Sequence, residues 1–149
     1  MIYLGADHGG FALKEQLKQW LDQWQMAYTD LGAHSYDAED DYPDFAFAVA
    51  QAVGQDPEQH MGILACRSAA GVVIAANKVK GVRAVAPLTT EAAQHAREHN
   101  DANVIGLSGD WLQPAEAEAI TKTWLTTTFS NEARHQRRLD KISQFEQLQ

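Results

Sequence analysis

Short apolar runs alternate with amphipathic stretches along this chain, and each kind predicts a different element. Residues 2–5, 28–31, 62–65, 83–86 and 104–107 have the length and composition of buried strands. Between the first two, Leu13, Leu17, Trp20, Leu21 and Trp24 recur at helical spacing and mark one face of a first helix. Residues 43–53 predict a second helix, with Pro43 in its first turn and Phe45, Val49, Ala50 and Val53 along one side. Residues 70–79 predict a third. Thr89 or Thr90 caps a fourth, with Glu91 in its first turn. Pro114 opens a fifth that reaches about residue 127, and the basic segment beyond it forms a last one.

Near-continuous apolar strands separated by helices require a parallel sheet covered on both faces. The expectation is therefore α/β: a single Rossmann-like three-layer α/β/α domain over residues 1–149, with a five-stranded parallel sheet and a C-terminal helix. The ligand crevice of such a sheet lies beyond the C-terminal ends of its strands. Two of those ends are the polar loops after Gly5 and Ala65, so Asp7, His8, Cys66 and Ser68 are expected to converge. The longest connection, residues 32–42, is rich in Asp and Glu and reads either as a lid or as a solvated link.

Composition narrows the partners. A length of 149 residues supports a core that needs neither disulfides nor metal. The net charge of -8 disfavours nucleic acid and anionic membranes. No apolar run approaches the roughly 20 residues that span a bilayer, and the N-terminus lacks the apolar stretch of a signal peptide. The single cysteine can build neither an internal bridge nor a zinc site, so a cytoplasmic setting without metal is expected. A negative chain repels a phosphorylated metabolite unless it carries a local basic site. Four of the twelve Lys and Arg residues fall within residues 134–141, and Arg134, Arg138 and Lys141 share a helix face by spacing. That face is either solvated or anion-binding.

The candidate chemistry centres on Cys66, which follows a strand and precedes a helix. Free backbone N–H groups there favour negative charge and are expected to lower a thiol pKa, making Cys66 a candidate base or nucleophile. The plain alternative is a small buried residue. Gly5-Ala6-Asp7-His8-Gly9-Gly10 adds an acid and an imidazole in the first loop, though not in the spaced pattern of a dinucleotide site. Asp41-Tyr42-Pro43-Asp44 leads into the second helix. His99-Asn100-Asp101-Ala102-Asn103-Val104 places another imidazole before the last strand.

Read in order, GADHGG, DYPDF, CRSAAG with IAANK, GVRA, HNDANV and ARHQRR resemble the ribose-5-phosphate isomerase B family, which includes the galactose-6-phosphate isomerase subunits. The resemblance covers nearly the whole chain. It implies interconversion of an aldose phosphate and its ketose, a proton moving between C1 and C2 through an enediolate, with no metal or redox cofactor. Cys66 matches the base, and Asp7 and His99 match groups that open the sugar ring and move protons among its oxygens. Ser68 keeps a hydroxyl beside the base and joins this catalytic set. His8, Arg134 and Arg138 match the phosphate-binding set, and Tyr42 and Asn100 match residues lining the sugar. Arg67 and Gly71 complete the substrate-binding set. The resemblance also implies a homodimer or a dimer of dimers, with His99 and the arginines serving a partner's Cys66. The structural alternatives are His8 as a helix cap and Tyr42 as a ring packed beside Pro43.

One loop departs from the family. After its cysteine the family reads Gly-Thr-Gly-x-Gly, whereas this chain reads Arg67-Ser68-Ala69-Ala70-Gly71. If the backbone at Ala69 needs positive φ, alanine there costs about 1–2 kcal/mol; otherwise the loop has shifted. Arg67 either lowers the Cys66 pKa and holds an extra anionic group, or fills the sugar site. The leading reading is an aldose–ketose isomerase acting on ribose 5-phosphate, with hexose 6-phosphates as the second substrate class. The alternative is a non-catalytic or altered-specificity relative that binds sugar phosphates. A flavin-binding or response-regulator-like domain of similar topology lacks its acidic cluster here.

Overall fold

The computed structural model describes residues 1–148. Five strands form one parallel sheet: β1 (Ile2–Ala6), β2 (Tyr28–Asp30), β3 (Met61–Cys66), β4 (Ala84–Val85) and β5 (Val104–Ser108), in the order β2-β1-β3-β5-β4. The helices are α1 (Phe11–Gln23), α2 (Tyr42–Gly54), α3 (Ala70–Ala76), α4 (Thr90–Asn100), α5 (Pro114–Thr126) and α6 (Ala133–Gln147). The strand, helix and layer pattern read from the sequence is therefore the one observed.

Alternation along the strands explains the layers, because successive side chains leave a strand on opposite faces. Ile63 and Ala65 of β3 join Ile105 and Leu107 of β5 in a core with Leu13, Leu17 and Leu21 of α1 and Ile120 and Trp124 of α5. Leu64 and Cys66 point the other way, into a core with Val49 and Val53 of α2 and Val72 and Ala76 of α3. Cys66 thus faces the α2/α3 layer.

Two elements end where side chains intervene. The third helix stops at Ala76 rather than reaching residue 79. The amide of Asn77 instead acts as a strand partner for β4, accepting from the Ala84 N–H at 2.8 Å and donating to its carbonyl at 2.9 Å. The fourth strand is two residues long rather than four. The N–H of Arg83 turns aside to the side chain of Asn103, at 2.8 Å. Lys14 was not legible as a core residue. It is fully buried on the apolar face of α1, held by Asp30 at 2.5 Å and Glu15 at 3.1 Å. Thr89 is the cap of α4, accepting from the Ala92 N–H.

The chain moves outward in one direction from β1 to β2 and in the other from β3 onward. The crevice between the ends of β1 and β3 is the switch point at which open α/β sheets bind ligands.

Candidate active site

The two loops at that switch point touch. A Cβ on Gly10 would come within 2.1 Å of the Ala65 carbonyl, so only glycine lets the first loop close on the end of β3. Asp7 is buried there, its carboxylate accepting from the Gly10 N–H at 3.1 Å. Burial raises the Asp7 pKa, and Asp40 adds to this, while the Gly10 N–H and His8 oppose it. His8 follows with its backbone N–H and its Nδ1 both on Oδ1 of Asp40, at 2.9 and 2.7 Å.

Cys66 ends β3 at 5 % exposure. Its sulfur accepts from the Ala69 N–H at 3.1 Å. Ala69 has φ 67° and ψ -16°, so the loop keeps a left-handed residue at this place although the side chain is alanine. The alanine adopts the left-handed conformation that glycine adopts at lower cost. Ser68 places its hydroxyl on the Ala70 N–H at 3.4 Å. The ring of Tyr42 lies across Gly71, where an added Cβ would meet it at 2.8 Å. Tyr42 is therefore placed by contact with the α3 loop as well as by its neighbour Pro43.

Burial also corrects the expected acidity of the thiol. The Cys66 pKa is raised, because desolvation outweighs the N–H groups of Ala69 and Val72 that favour a thiolate, and the charge of Asp7 raises it further. The helix N-terminus acts in the expected direction but is the smaller influence. Arg67 does not plug the crevice. Its side chain is 71 % exposed, crosses Gly9, and points its Nε toward Asp110 at 3.9 Å. The His8 pKa is raised, first by its hydrogen bond to Asp40, and the charge of Arg67 only opposes that rise.

A second group lies at the opposite edge of the sheet. Helix α4 returns antiparallel to the strands, so His99 and Asn100 at its C-terminus sit near the start of β5. A six-residue strand such as β3 spans about 17 Å, which separates these residues from Cys66 within one chain. His99 stacks on His95 with ring centroids 4.0 Å apart and on His135 of α6 at 4.2 Å. His135 is buried and bonded through Nδ1 to the Ser130 hydroxyl at 2.8 Å. Arg134 and Arg138 flank it on the exposed side of α6, Arg134 paired with Glu132 at 2.8 Å. A hollow of about 500 Å³ beside α4 is lined by Val85, Pro87, His95 and Asn100.

Within HNDANV, Asp101 and Asn103 have structural work. Asp101 caps α4 and holds Arg83 at 2.8 Å and Arg97 at 2.7 Å. Asn103 is buried and bonds Arg83, Pro57 and Gly81. Only His99 and Asn100 of the motif are left facing outward. Sequence reading passed over Asp40 and His135. Asp40 sits in an acidic loop where no spacing distinguishes it. For His135, the signal was its i, i+4 relation to Leu139, the other buried residue of α6.

Comparison with known proteins decides the family. Residues 2–142 match the family model described as Ribose/Galactose Isomerase. The chain is 46 % identical over 145 residues to ribose-5-phosphate isomerase B of Mycolicibacterium paratuberculosis, covering 97 % of this chain and 91 % of that one. The chain belongs to the ribose-5-phosphate isomerase B family. Among solved members, the Mycoplasma genitalium enzyme with bound ribulose-5-phosphate superposes with a TM-score of 0.95 at 42 % identity, over 98 % of this chain and 95 % of that one. The type B ribose 5-phosphate isomerase of Trypanosoma cruzi superposes with a TM-score of 0.93 at 37 % identity, over 99 % of both chains. This ribose-5-phosphate isomerase B relative is a sugar-phosphate isomerase of the aldose–ketose class. No helix among its described residues is long and apolar enough to cross a membrane.

Proposed function

We propose that the protein interconverts ribose 5-phosphate and ribulose 5-phosphate, with Cys66 as the base that moves the proton between C1 and C2. The observation that carries this reading is the sulfur of Cys66, buried beside Asp7 at the start of α3 with a backbone N–H directed at it. The proton alpha to a carbonyl is weakly acidic, so the base must be close and the enediolate oxygen must be met by fixed donors. N–H groups at a helix start are such donors, and one of them is worth about 3–4 kcal/mol in comparable sites. Asp7 and His99 serve ring opening and proton transfer among the sugar oxygens, with the hydroxyl of Ser68 beside them. His8, Arg134 and Arg138 hold the phosphate, while Tyr42, Gly71 and Asn100 line the sugar. Arg67, at the rim, offers a cation that leaves the crevice open.

The site is shared between two copies of the chain. One copy keeps Cys66 at the C-terminal edge of its sheet and His99 at the N-terminal edge, so a single chain supplies two half-sites that do not meet. Exposed Ile142 and Phe145 on α6 and Ile74 on α3 give apolar surface for such an assembly. A second copy that brings His99 and two arginines to Cys66 adds the positive charge that a buried thiolate needs. A cytoplasmic setting accords with this activity and with the free cysteine.

The raised thiol pKa favours one other reading, a relative that binds sugar phosphates without turning them over. Purified protein assayed with ribose 5-phosphate and with hexose 6-phosphates, beside Cys66→Ala, separates the two. Turnover of ribose 5-phosphate that falls about 10²–10⁴-fold in the alanine variant supports the isomerase with Cys66 as base. Binding of ribose 5-phosphate without turnover of any sugar supports the other reading.

A further inference from the structure

The long acidic connection between β2 and α2 ends in a carboxylate that serves His8. Asp40 has a side chain only 9 % exposed, and its Oδ1 accepts from both the main-chain N–H and the Nδ1 of His8. Two bonds from one residue to one oxygen determine the loop conformation at His8 and the orientation of its ring. With Nδ1 donating to Asp40, Nε2 is the nitrogen left for a ligand. The other oxygen of Asp40, Oδ2, is buried without a hydrogen-bond partner among the described residues.

We propose that Asp40 is a positioning residue for the phosphate-binding imidazole: its carboxylate fixes the ring of His8 and holds it as a cation whose Nε2 meets the phosphate of the sugar. This rests on the reading of His8 as a phosphate ligand. A carboxylate behind an imidazole stabilises its charged form and sets which nitrogen faces forward. The direction of the His8 pKa agrees: it is raised, first by the Asp40 hydrogen bond, with burial opposing, Asp7 adding, and Arg67 opposing. Tyr36 packs edge-on against the same ring, centroids 6.4 Å apart. Asp40 also stands two residues before Tyr42, whose ring covers Gly71. The tether to His8 joins this end of loop 32–42 to the site.

The test uses the full-length protein and three variants, Asp40→Asn, Asp40→Ala and His8→Ala. Asparagine keeps an accepting oxygen and removes the charge, whereas alanine removes both. The expected result for Asp40→Asn is a lower His8 pKa in an NMR titration, KM for ribose 5-phosphate raised about tenfold above neutral pH, and kcat within about twofold of wild type. The KM defect shrinks as pH falls and the imidazole of the variant becomes protonated. Asp40→Ala should shift the His8 pKa and KM at least as far. An unchanged His8 pKa in both Asp40 variants, or a loss confined to kcat, overturns the proposal. If His8→Ala leaves KM unchanged, the underlying assignment of His8 to the phosphate fails, whichever way the Asp40 titration comes out.

Discussion

The two edges of the sheet carry the two proposed half-sites, and these are built in different ways. At the C-terminal edge, Asp7, His8 and Cys66 are held by backbone N–H groups and by Asp40, and the loops that bear them lock together through Gly10. At the N-terminal edge, His99 is held by ring stacking on His95 and His135, and Arg134 and Arg138 stand in solvent. The first half-site is tethered by hydrogen bonds, and its sulfur is met by a backbone N–H rather than by a cation. The second is rich in positive charge and has no thiol. Each lacks what the other has, which is the physical argument for two chains meeting across one site.

Breaking that complementarity gives the largest expected effect. Cys66→Ala and His99→Ala should each be inactive as pure proteins. Mixed by unfolding and refolding together, they should recover about a quarter of wild-type turnover, because half of a random dimer population is mixed and each mixed dimer holds one intact site. Recovery near zero would place Cys66 and His99 in the same site of one chain. Next in size, Arg138→Ala should raise KM for ribose 5-phosphate about 10–100-fold with kcat little changed, the loss of a charge-assisted phosphate contact. Arg138 has no ion pair among the described residues, so the variant removes no structural bond there.

The half-site at Cys66 can be sharpened through pH. Since burial raises the Cys66 pKa, alkylation by iodoacetamide should keep accelerating as pH climbs past the point where a free thiol levels off. Addition of ribose 5-phosphate should slow it. A rate that levels off below the free-thiol range would mean that the N–H groups of α3 outweigh burial. The smallest effect belongs to the altered loop. Ala69→Gly relieves a left-handed alanine at φ 67° but adds glycine's own entropy, so chemical denaturation should detect a gain of about 0.5–1 kcal/mol. Turnover should stay close to wild type, since the Ala69 N–H is already on the sulfur.

Much of this was legible beforehand for a plain reason. Parallel strands buried on both faces read as apolar runs, and helices that cover them read as stripes at 3.6-residue spacing, so each element announces itself locally. The strands around Leu4, Ile63 and Ile105 appear where those runs stand, and the polar loops at Asp7 and Cys66 fall at adjacent strand ends because the order of elements puts them there. The fragments from GADHGG to ARHQRR, met in order, likewise pointed to the family that the comparisons establish.

What the chain alone left open depends on distance and dielectric, which no local pattern encodes. Lys14 lies on an apolar helix face and reads as an intruder until Asp30 comes beside it. Asp40 is one of several acids in its loop, and only the fold brings its carboxylate to His8. The acidity of Cys66 turns on a balance between a helix N-terminus, visible in the order of residues, and burial, which exists only once β1, α2 and α3 have closed around it. Sequence determined which groups the protein owns and the order in which the sheet presents them. Tertiary structure decided which are dry, which are paired, and which face outward, because solvation and contact are properties of the packed molecule.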